Sequence, residues 1–494
     1  MTEKYKPVIG LEIHAELKTD SKMFCSCKND PDERRPNQNI CPICMGHPGT
    51  LPVANKKAIE KTIMAGLGLN CQIEKNTFFE RKNYFYPDLP KGYQITQYQK
   101  PFCRNGYLEI GSPPSHKASE GSKRIRVTRI HLEEDAGRLN HPAGVDYSLV
   151  DYNRAGMPLM ELVTEPDFEN GKQVKAFAEE LQLILRYLNV SDADMEKGLM
   201  RVEVNISLTG DDGKWGTKVE IKNLNSIKAA ADSVDFEIIR QKEILESGEK
   251  IIQETRGWDE NKKETISQRV KEEANDYRYF PEPDLPPVKI SDEWLEEIRS
   301  LISELPAQRR ERFKKQYGLP DAQIAVLISE YAAGVYFEHV VSEISEEDKS
   351  EHVDGQSHVN KEQLLKIAAN YLIVDPARAQ IPSRITPDKF AGFTVHIAHG
   401  SISSTAGTAV IAGMLETGLS SDDIIREKDL GQVSDFGTLD AIVEKVLADN
   451  VKAVEDYKAG KEASLKFLIG MAMRDSKGRA NPQVVEEIIK NKLK

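Results

Sequence analysis

Between Val8 and Leu17 the chain alternates. Ile9, Leu11, Ile13, Ala15 and Leu17 share one face, and Gly10, Glu12, His14 and Glu16 the other, which predicts a strand buried on one side. RVEVNISL (201–208) repeats the pattern, with Arg201, Glu203, Asn205 and Ser207 opposite Val202, Val204, Ile206 and Leu208. GTKVEIKN (216–223) is a third such segment, with Lys218, Glu220 and Lys222 on its polar face. Helical periods interrupt this β-rich part at 173–189 and 225–247. The proline-dense FPEPDLPPV (280–288) predicts a rigid irregular loop that closes the region. Beyond about 290 amphipathic helical periods dominate, at 292–317 and 322–342. The polar, charged stretch 343–363 then reads as a loop or linker. From about 364 the pattern is a run of short helices separated by turns such as HGSISSTAG (399–407).

Bulk composition narrows the class. A chain of 494 residues allows roughly two to four domains, and 39% hydrophobic residues supply ordinary cores. No apolar run approaches the length of a membrane helix, and the first residues lack the apolar core of a signal peptide. The expectation is a cytoplasmic protein whose cysteines stay reduced. A net charge of −12 argues against a protein that coats nucleic acid nonspecifically. The tail is different: residues 451–494 hold ten Lys/Arg against six Asp/Glu, a local basic surface.

Four of the six cysteines fall in MFCSCKNDPDERRPNQNICPICMGHPG (23–49), as C-x-C and C-x-x-C. A reducing compartment disfavours a disulfide, and no βαβ pattern surrounds the C-x-x-C to support a redox role. Two knuckles converging on one tetrahedral ion predict structural zinc at Cys25, Cys27, Cys41 and Cys44. Four thiolates fill the shell and leave no place for a substrate. Cys71 and Cys103 stand alone and read as core thiols.

The polar faces carry other chemistry. Glu12 and His14, two apart on a strand, point the same way, which suits a shared ion or substrate but, taken alone, reads first as an ordinary solvent-facing polar strand. HLEEDAG (131–137), EVN (203–205) and VEIKNLN (219–225) add carboxylates, a lysine and amides. Several acid-rich strand faces in one half of the chain fit a shared cavity able to hold Mg²⁺. No P-loop and no G-x-S-x-G elbow occurs, and the serines of SISSTAG read as helix caps. RKNYFYPDLPKGYQITQ (81–97) and DYRYFPEPDLPP (276–287) interleave aromatics with cations, a composition that suits base stacking and also suits a packed turn.

Taken in order, VIGLEIHAELKTDSKMF, RKNYFYPDLPKGYQI, RIHLEEDAG, SLVDYNRAGMPLMELVTEPD, TKVEIKNLNS, QETRGWDE and DYRYFPEPDLPP resemble the B subunit family of bacterial aspartyl/glutamyl-tRNA amidotransferases (GatB). The likeness covers essentially all of 1–290 and continues more loosely to the end. It implies an α+β fold: a mixed or antiparallel-sheet catalytic cradle domain with a zinc knuckle (1–291), an all-α helical domain (292–405) and a YqeY-like helical tail that meets tRNA (406–494). It implies an enzyme subunit that uses ATP and Mg²⁺ to phosphorylate the side-chain carboxylate of misacylated Glu-tRNA(Gln) or Asp-tRNA(Asn). Ammonia from glutamine, hydrolysed by an amidase partner (the A subunit), then displaces phosphate, and a small partner (the C subunit) completes the heterotrimer. The missing serine elbow and P-loop accord with that division of labour. Carried over by motif, the resemblance implies Glu12, His14, Glu134 and Glu220 as Mg²⁺ ligands. It implies Lys82, Tyr84, Lys222, Asn223, Asn225 and Arg278 as ATP or aminoacyl-end contacts. Counting by two sets Glu134 with Ile130 and Leu132, and the Gly137 turn is what would redirect it. An archaeal-type relative specific for glutaminyl-tRNA usually carries an inserted domain, for which the motifs here leave no room.

Overall fold

A computed structural model of the chain describes residues 4–111, 122–210, 213–270, 276–350, 360–373, 380–431, 436–476, 480 and 482–493. The chain forms two compact units, Met1–Pro306 and Ala307–Lys494.

The first unit is built on a nine-stranded sheet. Its strands in chain order are β1 (Lys6–Glu16), β2 (Gln72–Ile73), β3 (Cys103–Ile110), β4 (Lys123–Glu134), β5 (Pro158–Thr164), β6 (Met200–Thr209), β7 (Val219–Lys222), β8 (Glu254–Asp259) and β9 (Glu264–Val270). They lie side by side as β9-β8-β7-β6-β1-β5-β4-β3-β2. β7 and β8 pair in parallel and every other neighbouring pair is antiparallel, so the sheet is mixed. β1 lies near the middle, in register with β6 (Glu12 opposite Glu203, His14 opposite Arg201) and with β5 (His14 opposite Glu161).

The alternation read from β1 holds. Ile9, Leu11, Ile13 and Ala15 are buried in the core under helices α1 (Lys56–Gly68), α2 (Gly171–Tyr187) and α3 (Ile227–Glu246). α2 buries the stripe Val174, Phe177, Leu181, Ile184 and Leu185, the spacing of a one-faced helix. Each of the three starts at a side-chain cap, Asn55, Asn170 and Ser226 respectively, that accepts a hydrogen bond from a first-turn N–H. α2 and α3 approach closely at Gly171, where a Cβ would stand 2.3 Å from the Ala231 carbonyl oxygen.

On the other side the sheet offers a polar floor. A three-stranded sheet of Glu80–Asn83, Tyr93–Thr96 and Phe280–Pro281 packs against the end of β4. Thr96 Oγ1 donates to Glu133, and Leu132 N to Gln97 Oε1. The stretch predicted as an irregular proline loop therefore supplies one short strand of this small sheet, Phe280 pairing with Arg81. Pro283, Pro286 and Pro287 beyond it stay outside strands.

The boundary expected at 291/292 lies inside this unit. Ser291 caps α4 (Asp292–Ser300), whose Leu295 and Ile298 join the main core while Trp294 Nε1 donates to Glu60. The periodicity identified a helix there but not which core it covers.

The second unit is all helical: α5 (Pro306–Tyr317), α6 (Asp321–Ser329), α7 (Tyr331–Ser350), α8 (Lys361–Ile373), α9 (Ile381–Arg384), α10 (Pro387–Ala398), α11 (Ser404–Thr417), α12 (Ser421–Glu427), α13 (Phe436–Asp449), α14 (Val451–Lys458), α15 (Glu462–Asp475) and α16 (Pro482–Leu493). The predicted helix 292–317 is broken before Pro306, which disfavours helical geometry at the preceding residue. The linker expected at 343–363 is corrected at its start, because α7 continues to Ser350. Charge alone does not end a helix when the residues are good helix formers. Residues 351–359 of that stretch lie outside the described residues. The expected boundary at 405/406 would cut α11, which begins at Ser404 with Ser403 as its cap. The tail has its own buried cluster, from Leu439 through Leu468 to Ile489. Among the described residues no single helix is long and apolar enough to cross a membrane.

Candidate functional site

The polar floor gathers side chains from β1, β4, β5, β6 and β7. His14 Nε2 lies 3.4 Å from Glu161 Oε2, 3.8 Å from Glu133 Oε1 and 3.9 Å from Glu12 Oε1. His131 Nε2 lies 3.4 Å from Glu133 Oε2 and 3.5 Å from Glu161 Oε2. Three overlapping triads have ligand atoms within 4.8 Å of one another: Glu12–His14–Glu161, His131–Glu133–Glu161 and Glu12–Glu203–Glu220. Lys222 Nζ reaches Glu203 Oε2 at 2.6 Å and Glu220 Oε1 at 3.4 Å, and Thr255 Oγ1 donates to Glu220.

Crowding sets the electrostatics. Burial raises the Glu12 carboxyl, and the neighbouring charges of Glu161 and Glu203 raise it further against His14 and Lys222. Burial alone would lower His14, but its hydrogen bond and charge pairing with Glu161, then Glu133, outweigh burial and the opposing Arg201, and bring it up to about 9. Glu161 is held well below the usual carboxylate range despite burial, by His131, His14 and Arg129. The floor thus sets mutually repelling carboxylates against imidazole and ammonium groups. The donor set fits a hard cation, and Asn205 Oδ1, buried on the same floor opposite Glu220, has no hydrogen-bond partner.

Next to this cluster is a second charged group. Asp135 accepts from Arg154 Nε at 2.9 Å, Arg154 also pairs with Glu16 at 3.2 Å, and Arg201 Nη2 lies 3.4 Å from Asp135. Burial, then the charge of Asp135, pushes the Glu16 carboxyl up to about 7.

The expected ligands divide. Glu12, His14 and Glu220 come together. Glu134 does not: it is in the last position of β4, one residue from Glu133, so it takes the opposite face. There it pairs with Lys91 and accepts from Ile95 N at 2.9 Å. The turn at Gly137 comes too late to redirect it. His131, Glu133 and Glu161 take part instead, and the sequence reading missed them. Period-two counting from Glu133 gives His131, and Glu161 is the lone acid in PLMELVT, so alternation was a usable signal for both.

The remaining expected contacts rim the floor. Lys82 Nζ lies 4.8 Å from the Tyr277 ring centre and 5.7 Å from that of Tyr84. Tyr98 stacks on Tyr279 with ring centres 4.6 Å apart. Burial, and after it the Glu133 carboxylate, raises the hydroxyls of both Tyr84 and Tyr279. Asn223, Asn225 and Arg278 are exposed. Asn223 and Arg278 adopt left-handed φ of 59° and 48°, uncommon for non-glycine residues and frequent at functional loops.

The four cysteines of the knuckle, all free thiols, converge with ligand atoms within 4.8 Å. Cys41 N donates to Cys44 Sγ at 3.2 Å. A hydrogen bond from Cys25 brings the Cys44 thiol down to about 5 against its burial, with the Lys22 ammonium helping. Four sulfurs around one point, one already favouring thiolate, fit tetrahedral zinc. Lys22 is fully buried, and its Nζ donates to Ala155 O at 2.7 Å, tying the knuckle to the turn that carries Arg154. Gly46, at φ +67°, packs so that a Cβ would stand 2.4 Å from Lys91 Cγ.

Comparison with known proteins identifies relatives along nearly the whole chain. Residues 7–296 match the model of the GatB/GatE catalytic domain, and residues 336–493 match a second GatB domain model. The chain is 46% identical over 491 residues to the B subunit of the aspartyl/glutamyl-tRNA(Asn/Gln) amidotransferase of Caldicellulosiruptor saccharolyticus, covering 99% of both. It is 45% identical over 493 residues to the B subunit of the same enzyme from Persephonella marina, covering 99% of this chain and 100% of that one. Against the B subunit of the Thermotoga maritima enzyme the identity is 43% over 495 residues, covering 99% of each.

Proposed function

The chain belongs to the family of aspartyl/glutamyl-tRNA amidotransferase B subunits, and on that premise we propose that it carries the step that activates the substrate carboxylate. It is one subunit of a tRNA-dependent, ligase-type amidotransferase, an assembly of several chains. The substrates are Glu-tRNA(Gln), Asp-tRNA(Asn) or both, with ATP and Mg²⁺ as cofactors. The amidase and the small protein (the A and C subunits) are the partners, glutamine is the ammonia source, and the cytoplasm is the compartment. The observation that carries this reading is the convergence of Glu12, His14, Glu133, Glu161, Glu203 and Glu220 on one floor.

The chemistry needs that floor. A carboxylate is a poor acyl donor because its leaving group would be oxide or hydroxide. Attack of a side-chain carboxylate oxygen on the γ-phosphorus of ATP, with departure of ADP, gives an acyl phosphate. Ammonia then attacks the acyl carbon and inorganic phosphate leaves. Mg²⁺, when bound, supplies charge neutralisation for the phosphate oxygens. The chain's residues do the positioning. Glu12 would hold the ion together with Glu203 and Glu220 or with His14 and Glu161, and Thr96 orients Glu133 beside them. Arg201 and Lys222 bring positive charge toward two anions that repel each other. The Lys82, Tyr84 and Tyr277 group on the rim, with Asn223, Asn225 and Arg278, offers stacking and hydrogen bonds to ATP or the aminoacyl end. The role expected of Glu134 as a metal ligand is withdrawn in favour of Glu133. Zinc at Cys25, Cys27, Cys41 and Cys44 supports structure, and the basic tail meets the outer tRNA.

A second reading, a tRNA-binding adaptor with all chemistry elsewhere, is favoured by the aromatic rim and the basic tail. Reconstitution with the amidase and small subunits separates the two. Glu-tRNA(Gln) and Asp-tRNA(Asn) are assayed individually with ATP, Mg²⁺ and glutamine. ATP-dependent phosphoryl transfer to Glu-tRNA that vanishes without this chain supports the activation reading. Transfer that persists in its absence favours the adaptor.

A further inference from the structure

Lys222 occupies a conspicuous position for a residue expected to contact substrate. It is the last residue of β7, its side chain is 37% exposed, and its ammonium lies on two carboxylates of the Glu12–Glu203–Glu220 triad. The next residue, Asn223, has a left-handed φ of 59°, so the strand ends at once, with Lys222 still paired with Gly257. What can move is the side chain.

A divalent ion bound by the same oxygens would lie about 2.0–2.6 Å from each. On Glu203 Oε2 and Glu220 Oε1, the oxygens that Lys222 now takes, it competes with the ammonium, because both draw on the same lone pairs and repel each other. The ammonium that now bridges Glu203 and Glu220 therefore gives way when the ion binds. It leaves by swinging away on its flexible stem. The flexible, half-exposed stem keeps the freed ammonium beside the triad, where an anion carried by the ion would need a cation.

We propose that Lys222 is a displaceable counter-cation: it holds Glu203 and Glu220 until a divalent ion arrives, then passes to the anion that the ion carries. This deepens the proposed function and rests on its metal-site reading. It makes one residue both a competitor of the metal and a ligand of the phosphate, and so couples metal and nucleotide binding. A lysine that merely contacts ATP would not compete with the ion.

The test is Mn²⁺ binding to the full chain, followed by the electron spin resonance of free Mn²⁺, first alone and then with ADP. Lys222→Met is compared with the wild type, with Lys222→Arg as the charge-keeping variant and Lys222→Gln as a second neutral one. Glu12→Gln identifies the site. Without nucleotide, Lys222→Met and Lys222→Gln bind Mn²⁺ about tenfold tighter, the screened effect of one unit charge in a half-exposed site. Lys222→Arg binds no tighter than the wild type. ADP tightens Mn²⁺ more in the wild type than in Lys222→Met. Equal or weaker Mn²⁺ binding in both neutral variants overturns the inference. If the wild type shows no Mn²⁺ binding that Glu12→Gln removes, the metal-site reading itself fails. If Glu12→Gln removes binding and the neutral variants bind no tighter, only the role of Lys222 fails.

Discussion

Glu133 and Glu134 are consecutive, yet their carboxylates stand on opposite faces of β4: Glu133 beside His14 and His131, Glu134 against Lys91 and the N–H of Ile95. The pleat of a single strand thus gives two adjacent acids separate roles.

These roles predict different mutant behaviour. Glu133→Gln should remove a negative charge from the floor and weaken Mn²⁺ binding by about tenfold or more, with little effect on folding. Glu134→Gln leaves the buried Lys91 ammonium without its partner and should cost on the order of 3 kcal/mol, while Mn²⁺ affinity stays within about twofold. Denaturant unfolding and metal titration of the two variants check both outcomes. A Glu134→Gln protein that is stable and fails to bind Mn²⁺ would reverse the assignment.

The knuckle should behave as support. The wild type is expected to carry one zinc per chain by elemental analysis, and Cys41→Ser or Cys44→Ser to lose it. Chelation should lower thermal stability, and activity should fall only in step with folding. A Cys41→Ser variant of full stability that loses catalysis alone would show that zinc takes part in turnover.

His14 predicts a pH dependence. Its folded value, about 9, lies above the ordinary 6.5. The stability it contributes is therefore fully present below about pH 6.5 and is lost as pH rises through about 9. The metal-free wild type should lose thermal stability across that window, and His14→Asn should lose much less. Since a metal takes neutral imidazole, Mn²⁺ binding at pH 7.5 should release a proton. Calorimetry in buffers of different ionisation enthalpy measures this. The absence of proton release would mean that His14 is not a ligand.

The parts of this arrangement that were legible in advance were those with a strict period. The β1 and β6 faces and α2 could be read because burial on one side leaves a repeating mark, and the cysteine knuckle from its C-x-C and C-x-x-C spacing. The site was half legible. Glu12, His14 and Glu220 stand on alternating segments, whereas Glu161 stands in a strand so apolar that its one acid looked incidental, and the choice between Glu133 and Glu134 depended on register. Motif resemblance implied Glu134; the β4–β5 register, with Glu133 opposite Leu159 and His131 opposite Glu161, sets Glu133 on the floor. Unit boundaries were least legible. α4 is amphipathic like its successors, and only the core receiving Leu295 and Ile298 decides where it belongs.

The central claim is that this floor activates the carboxylate. The direct measurement is transfer of the γ-phosphate of labelled ATP to Glu-tRNA by the reconstituted heterotrimer, comparing wild type with Glu12→Gln and His14→Ala, with glutaminase activity followed in parallel. The account predicts loss of transfer by about a hundredfold or more in both variants, the scale of removing transition-state charge stabilisation, with glutamine hydrolysis retained. Transfer at the wild-type rate in both variants would contradict it.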